Sequence, residues 1–458
     1  MRGMSASPLT RLDVLKRAWP LVFANAAVPL AGVADTFVLG LSGDKADLGG
    51  VALGSALFSV FYWSFYFLRM GTTGLTAQAD GAGDRAETQR ILLRALAIAA
   101  ALGLLVFLLR DLIALAGFAI LQGELRVESK GADYLLARAW GAPAALAGFA
   151  LSGWLIGLGR NAATLAIYVA FSLVNIGLDL WFVLGLGFGP GGVGAATAIA
   201  EWLALLVGGG FLLITLKHQK GWAHGVLDRA RLLDGAAIRE LFQVNVNLMI
   251  RTWTLVIGFT WFANAGARQG TAALAGNHVL LQVISVWAFV LDAFAFIAET
   301  EAGRAFGRRS VRDLRRCVQL TAEPMILSGA VFALATWWLG DAALTALIED
   351  PEARAAAITF LPWCAAVPLL GAPAWLMDGV FIGTTSGRVL RNAGLVAVAI
   401  YLAADAVLAP LYGNHGVWAA FIVFYLARAG ALLGAYPGLE RRIHSAPTAS
   451  ATDANPST

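Results

Sequence analysis

The sequence predicts an all-α integral membrane protein, with twelve transmembrane helices arranged as two pseudo-symmetric six-helix lobes. Three observations support this fold class: the apolar composition, the regular recurrence of long apolar runs, and a repeat that relates the two halves of the chain. Of the 458 residues, 59% are apolar and 14% are charged, against roughly 45–50% and 25% in soluble domains. This composition favours a membrane setting.

Each apolar run is long enough to cross a bilayer as a helix. About 20 apolar residues span the roughly 30 Å of hydrocarbon. The backbone must satisfy its own hydrogen bonds there, so the runs are predicted to be helical. The predicted spans are 14–40, 48–74, 88–110, 131–157, 161–186, 191–216, 239–264, 271–298, 312–339, 354–382, 388–411 and 416–437.

The two halves of the chain repeat one another. IGLGRNAATLAIYVAFSLVNIGLDLW from Ile156 pairs with IGTTSGRVLRNAGLVAVAIYLAADAV from Ile382, and the offset of 226 places Asp179 on Asp405. Six spans separate the copies, so both have the same orientation, an arrangement found in secondary transporters with a substrate site between two lobes. The predicted divisions are an N-terminal lobe (1–216), a cytoplasmic linker (217–238), a C-terminal lobe (239–443) and a disordered tail (444–458).

Lys and Arg residues are distributed unequally between the two sides of this topology. The side that carries both termini has 23 of them, and the opposite side has 6. By the positive-inside rule, both termini are predicted to be cytoplasmic. The net charge of +4 then reflects topology, and no nucleic acid is expected as a partner.

A group of polar residues interrupts the apolar sequence of the first lobe. Asn175 and Asp179 are four residues apart and so share one helix face. Asp35 and Thr197 are predicted to lie at the same depth, about 8–10 Å inside the outer helix ends at roughly 1.5 Å per residue. Two carboxylates, an amide oxygen and a hydroxyl suit a hard cation such as Na⁺, and two neighbouring acids can instead hold a proton. Acids in hydrocarbon are costly and indicate function by default, so we expect a coupling site for H⁺ or Na⁺ here.

Two alternatives stay open around this site. Asn175 and Thr197 can simply join helices, with Thr197 bonded back to its own helix. Pro20 and Pro29 precede Asp35 in the first span, and proline frees a backbone carbonyl and permits a bend. The first helix is therefore predicted to bend when the acids gain or lose a cation. The alternative is that its prolines only shape packing.

Four segments resemble the multidrug and toxic compound extrusion (MATE) family, and its DinF-like subfamily in particular. They are ADTFVLG at 34–40, FLRMGTTGLTAQADGAGD at 67–84, NIGLD at 175–179 and LDAFAFIAETEAGRAFG at 291–307. The resemblance implies two lobes around a central cleft and efflux of organic, often cationic or amphiphilic, compounds in exchange for H⁺ or Na⁺. The family's N-lobe cation residues map onto four positions of this chain: Asp35, Asn175, Asp179 and Thr197.

The seventh span departs from one branch of that family. The branch with a C-lobe sodium site has a Glu there, whereas this chain reads FQVNVNLMIRTW, with Asn245, Asn247 and Arg251. Asp378 is the candidate for that branch's tenth-span acid. The departure favours the N-lobe as the site of coupling.

Further polar residues are candidates for gating or for contacts with substrate, with a structural ion network as the alternative. They are Arg69, Asp292, Glu299, Asp378 and Asp405. The histidines have no paired metal-ligand spacing, and there is no nucleophile elbow or phosphate loop, so an enzyme is not expected.

The expected function is a cation-coupled antiporter of the bacterial inner membrane that exports small organic compounds by alternating access. We expect a monomer surrounded by membrane lipids, with no cofactor other than the coupling ion. One alternative is a lipid-linked intermediate flippase of the same superfamily. A membrane-embedded enzyme or receptor is the other.

Overall fold

The computed structural model describes residues 9–42, 44–121 and 124–445. In the first half of the chain these residues form α1 (Arg11–Ser42), α2 (Lys45–Phe65), α3 (Phe67–Gly81), α4 (Arg85–Leu108), α5 (Arg110–Leu121), α6 (Leu125–Arg138), α7 (Ala142–Gly157), α8 (Asn161–Asp179) and α9 (Gly189–His218). After the short α10 (Arg229–Leu232), the second half forms α11 (Gly235–Ala267), α12 (Thr271–Gly307), α13 (Val311–Leu347), α14 (Pro351–Gly383), α15 (Gly387–Tyr412) and α16 (Asn414–Ser445).

The predicted count of twelve spans is confirmed. Twelve helical stretches within the described ranges are long and apolar enough to cross a membrane, with α2 and α3 forming one of them and α6 and α7 another. Several extend past their predicted ends, for example to Gly307 in α12 and to Leu347 in α13. A predicted span ends where charged residues lower the hydropathy, whereas a helix can continue past that point on residues such as Glu, Arg and Ala that favour helix formation.

The boundaries of the linker and the tail differ from the prediction. α9 continues to His218 and α11 begins at Gly235, so the link between the halves is shorter than 217–238 and contains α10. α16 continues through Ser445, two residues into the predicted tail. The rest of that tail, 446–458, lies outside the described residues.

A surface helix, α5, lies between the third and fourth spans, where the sequence predicted no helix. α5 packs Ala114, Gly117 and Phe118 inward, whereas Leu115 is 71% exposed and Ile120 is 79% exposed. Residues three and four apart share a helix face, so α5 has one face on the protein and a second apolar face turned away from it. Such a helix suits the membrane interface.

The predicted repeat extends through both lobes. Four helices of the first half have a counterpart that begins 226 residues later. These pairs are α2 with α12, α4 with α13, α6 with α14, and α8 with α15. The fold is therefore built twice from the same helix order, and positions 226 residues apart can be compared directly.

Each half of the chain forms its own bundle. In the first lobe α1 packs on α8, α2 on α6 and α8 on α9, and in the second lobe α12 packs on α14, α15 on α16 and α11 on α15. The lobes meet chiefly where α12 contacts α3 and α1. The interface between them is thus formed by a few helices on each side.

Cross-lobe bonds lie in one half of the bundle. We call the end where α1 begins and α16 ends the terminal end. Within the described part of the chain, polar contacts between the lobes run from this end to mid-depth. They include Arg11–Glu323, Arg17–Glu301, Gln78–Gly383, Asp80–Arg304 and Asn25–Phe289. Polar contacts therefore hold the two lobes together at the terminal end.

Two glycines allow α14 to pack closely on α12. A Cβ atom at Gly379 would collide with the carbonyl oxygen of Ala295, and one at Gly383 would collide with that of Glu299. The two glycines are four residues apart and so share one helix face. Small residues at this spacing are a common way for membrane helices to approach.

Substituting either glycine is expected to destabilise the protein. Gly379→Val or Gly383→Val should cost about 1–3 kcal/mol through overpacking, lowering the unfolding temperature of the detergent-solubilised protein. Gly430→Val and Gly434→Val are matched controls with the same spacing in α16, because a Cβ at either position meets nothing within 4 Å. Equal unfolding temperatures for the two sets of variants would contradict this packing.

Candidate functional site

The structure brings Asp35 and Asp179 together inside the first lobe. α1 lies along α8, where the Ser172 hydroxyl donates a hydrogen bond to the Ala27 carbonyl at 2.8 Å. Asp35 is 8% exposed and Asp179 is fully buried. The two carboxyl groups are near enough to act on one another. The juxtaposition expected from depth and spacing is therefore present.

Asn175 and Thr197 complete this group from α8 and α9. The Asn175 Nδ2 donates to the Thr197 Oγ1 at 3.2 Å, and that hydroxyl donates to the Val193 carbonyl at 2.9 Å. The helix-joining bond and the back-bond that the sequence left open are both present. The Asn175 side chain lies close to Asp35 as well, so the amide joins two helices and also borders the acids.

Four oxygens of this group are buried without a hydrogen-bond donor among the described residues. They are one carboxylate oxygen of Asp35, both of Asp179, and the amide oxygen of Asn175. More than nine in ten buried polar groups in proteins have a partner, and leaving one without costs about 1–3 kcal/mol. A bound cation could be coordinated by these oxygens together, and a shared proton would bridge two of them. We name this set, with Thr197, the acid site.

Local backbone structure positions the acid site. Asp179 is the last residue of α8, and the chain continues from it as a π-helical turn, Leu180–Gly185. Single π turns occur frequently at functional sites. Gly187 and Gly189 then adopt positive φ angles of 70° and 55°, which glycine tolerates best. The chain can thus reverse and bring Thr197 back beside Asn175.

A second buried polar group borders the acid site. Its Glu201 lies four residues after Thr197 on the same helix face, a spacing visible in the sequence, whereas its Arg138 and Tyr62 were not predicted as site residues. The Tyr62 hydroxyl donates to the Glu201 Oε1 at 2.7 Å, and the Arg138 Nη2 donates to the same oxygen at 3.2 Å. Arg138 also lies over the Phe58 ring, 4.5 Å from its centroid. The available signal was a lone Arg inside an apolar span, which is rare in membrane helices.

The second lobe has one acid at the position equivalent to the acid pair, and that acid is hydrogen-bonded by its neighbours. At the 226-residue offset Asp35 corresponds to Trp261, and Asp179 corresponds to Asp405. The Trp261 indole donates to the Asp405 Oδ2 at 2.9 Å, and Arg268 bonds the same oxygen at 2.8 Å. Asp405 therefore has an internal cation as partner, which Asp179 lacks.

The remaining counterparts in the second lobe are not charged. Arg138 corresponds to Cys364. After the shorter turn, Thr197 corresponds to Phe421 and Glu201 to Tyr425, whose rings lie 5.3 Å apart in an aromatic cluster. The polar oxygens of the first lobe are thus replaced by packed rings in the second. This asymmetry favours the first lobe as the cation site.

Pro20 and Pro29 lie inside α1, which continues through both as a single helix. Near these prolines, α1 makes hydrogen bonds to helices of both lobes. Asn161 of α8 donates to the Arg17 carbonyl at 3.1 Å, and Asn25 of α1 donates to the Phe289 carbonyl of α12 at 3.1 Å. α1 is therefore bonded to both lobes.

Arg69 and Glu299 form a buried ion pair between the lobes. Both side chains are 1% exposed, with 3.4 Å between Arg69 Nη2 and Glu299 Oε2. The guanidinium also lies over the rings of Tyr66 and Phe296, at 4.8 and 4.2 Å from their centroids. Removing one partner of such a pair leaves a buried charge, so these residues stabilise the contact between lobes in this state.

Asp378 is bonded by two arginines of its own lobe, Arg251 and Arg428. In the seventh span, where the branch with a C-lobe sodium site has a Glu, this chain therefore places Arg251 beside Asp378. Asp292 is half-buried near Trp375 and within the electrostatic range of both arginines. Asp378 and Asp405 therefore both have arginine partners, which favours structural roles for them over contact with a cationic substrate.

Comparison with known proteins gives consistent matches over nearly the whole chain. A sequence model of the MatE family matches residues 20–181 and 248–411. The chain is 34% identical over 412 residues to DNA damage-inducible protein F of Escherichia coli K12, covering 90% of this chain and 88% of that protein. It is 27% identical to a probable multidrug resistance protein NorM of Caulobacter vibrioides, covering 94% and 92% of the two chains.

A solved structure shares the fold. An outward-facing conformation of a multidrug resistance MATE family transporter of the MOP superfamily superposes with a TM-score of 0.83 at 17% identity. The match covers 94% of this chain and 95% of the other.

Proposed function

This chain belongs to the MATE family of membrane transporters, and we propose that it is an antiporter that exports organic, cationic or amphiphilic compounds in exchange for H⁺ or Na⁺. It acts as a monomer on small organic substrates, surrounded by membrane lipids, with no nucleic-acid partner and no cofactor other than the coupling ion. The multidrug resistance names of several relatives support the substrate class.

The unpartnered oxygens of the acid site carry this proposal. Asp35, Asn175 and Asp179 present four buried oxygens without a donor, a cost that a bound cation or proton relieves. Since a ligand shifts an equilibrium only by its differential affinity for two states, the site must bind the cation more tightly in one state of the transporter. Among the described residues of the second lobe, Asp378 and the Asp179 counterpart Asp405 are instead paired with arginines.

α1 links the acid site to the contacts between lobes. It carries Asp35 toward one end, and toward the terminal end it carries Arg17, which pairs with Glu301 at 2.7 Å. A change in the bend of α1 at Pro20 or Pro29 would therefore act on both regions at once. In the proposed cycle, cation binding at Asp35 and Asp179 bends α1 and releases its bonds to α12, so that the lobes can open at the terminal end.

The protein is proposed to lie in the bacterial inner membrane with both termini in the cytoplasm. The excess of Lys and Arg at the terminal end, 23 against 6, supports this orientation. In this orientation the structure is closed toward the cytoplasm by the cross-lobe bonds.

Labelling of single cysteines tests this orientation. A membrane-impermeant maleimide should label Asp111→Cys in α5 in intact cells, and should label His224→Cys in the linker only after permeabilisation. Background should be low because Cys317 and Cys364 are buried, and the wild-type chain is the control. Labelling of His224→Cys, but not of Asp111→Cys, in intact cells would contradict the orientation.

Transport in proteoliposomes tests the coupling. Asp35→Asn and Asp179→Asn should each lower substrate exchange driven by an imposed H⁺ or Na⁺ gradient at least about tenfold, a loss that corresponds to only about 1.4 kcal/mol. The matched control is Asp111→Asn, an acid of the same lobe whose side chain is 73% exposed, and it should transport as wild type.

Two results would argue against antiport. One is wild-type substrate movement that is indifferent to both gradients, which would favour the flippase alternative. The other is undiminished exchange in both aspartate variants, with protein levels equal to wild type.

A further inference from the structure

The ion pair of Arg138 and Glu201 lies directly beside the acid site. It is formed across α6 and α9, which pack closely because a Cβ at Gly194 of α9 would collide with the Tyr134 carbonyl of α6. The two side chains are 13% and 3% exposed. A full positive charge is thus held inside the lobe that has two unpaired acids.

The face of α6 that carries Arg138 is turned toward the acids. Tyr134, four residues earlier on the same face, packs with Val38 of α1 and Val183 of the π turn. Val38 lies three residues after Asp35 in the chain, and Val183 lies four residues after Asp179. The guanidinium of Arg138 interacts electrostatically with both carboxyl groups.

Neither partner of this ion pair is fully satisfied by the other. Within the described ranges, the Arg138 Nε and the Glu201 Oε2 are buried without a hydrogen-bond partner. The Glu201 Oε2 packs against Gly141, which belongs to the short 3₁₀ turn that follows α6, and it occupies the space that a Cβ of Gly141 would need. Asp405 in the second lobe likewise receives two bonds on one oxygen, from Trp261 and Arg268, and its other oxygen is buried without a partner among the described residues. The Arg138 pair therefore has spare hydrogen-bonding capacity on both sides.

We propose that Arg138 is a tethered cation that takes the place of the coupling ion. Its guanidinium bonds Glu201 while H⁺ or Na⁺ occupies the acid site, and it shifts to Asp35 and Asp179 when the ion leaves. This inference rests on the proposed function, because it requires the acid site to be the coupling site.

The physical reason is the cost of bare carboxylates in a low-dielectric interior. Two ionised acids without a counter-charge repel each other and lose solvation, which would hold the coupling ion too firmly to be released. A nearby guanidinium neutralises part of that charge. It competes with the ion for the acids, so binding becomes weaker and release becomes faster. Glu201 sets the strength of this competition, because it holds Arg138 away from the acids.

The charged and titratable groups that act on Arg138 come from five helices. They are Glu201 of α9, Tyr62 of α2, Tyr134 of α6 and Asp35 of α1, with Asp179 of α8 acted on in turn by Arg138. The two tyrosines are neutral phenols at ordinary pH. The competition is therefore between Glu201 on one side and the two aspartates on the other.

Two substitutions should change the apparent affinity for the coupling cation in opposite directions. Arg138→Gln removes the competitor, so half-maximal exchange should need about tenfold less Na⁺, or should occur at a pH about one unit higher if the ion is H⁺. Maximal turnover should fall, because release slows. Glu201→Gln frees Arg138 to bind the acids, so half-maximal exchange should need about tenfold more Na⁺, or a pH about one unit lower.

Three further variants complete the set, two of them as controls and one, Tyr62→Phe, as a milder change to the same ion pair. Arg138→Lys keeps the charge and should stay near wild type. Tyr62→Phe removes the hydroxyl that shares Glu201 Oε1 with Arg138, strengthening the Arg138–Glu201 pair, and should produce a smaller shift in the direction of Arg138→Gln. Arg126→Gln breaks an exposed arginine–aspartate pair of the same lobe, with Asp44, and should leave the affinity unchanged.

The outcomes separate this inference from the proposed function. Equal shifts in one direction for Arg138→Gln and Glu201→Gln, or no shift in either while Asp35→Asn abolishes cation dependence, would overturn the tethered-cation role alone. Exchange that is independent of cations in the wild-type protein would overturn the proposed function and the role of Arg138 together. If Arg138→Gln does not fold, the opposite signs expected for Tyr62→Phe and Glu201→Gln decide the matter.

Discussion

The contact between Asp35 and Asp179 is the constraint on which the account of this transporter depends. Two acids from separate helices meet in the apolar interior of one lobe, where charge is expensive. Neither oxygen of Asp179 receives a hydrogen bond from the described residues. A proton or a metal cation bound there would lower that cost, and in the proposed function this connects the local geometry to transport.

The internal repeat shows how that site differs from ordinary packing. Both lobes are built from the same helix order at an offset of 226 residues, and both place an acid at the same position. In the second lobe the acid is bonded by Arg268 and Trp261, and aromatic rings fill the surrounding positions. The same backbone can therefore hold an acid bonded by an arginine or an acid left without a hydrogen bond among the described residues, and the side chains determine which arrangement forms.

Much of this could be predicted from the sequence, because hydropathy and spacing act along a single helix. The twelve spans follow from apolar run length. The grouping of Asp35, Asn175, Asp179 and Thr197 follows from depth, which the rise per residue fixes. Membership of the MATE family was recognised from the FLRMGTTGLTAQA segment and the residues around Asp35.

Other features depend on how each helix is rotated about its axis, which apolar sequence hardly specifies when both lipid and protein neighbours are apolar. Arg138 meets Glu201 from 63 residues away, and Arg251 meets Asp378 from 127 residues away. Neither pair could be inferred from spacing. The ends of α12 and α13, the surface helix α5 and the shortened linker were missed for a different reason. Hydropathy finds apolar runs long enough to span a bilayer, so it misses charged helix ends and an apolar helix of only 12 residues such as α5.

The most direct test is to measure what leaves the purified protein when substrate binds. A lipophilic cation such as tetraphenylphosphonium would be added to detergent-solubilised protein in weak buffer, and H⁺ and Na⁺ in the medium would be followed with a pH dye and a sodium electrode. The account predicts release of a cation on binding by the wild-type protein, and none by the Asp35→Asn, Asp179→Asn double variant. Equal binding by both proteins without release of either ion would contradict it.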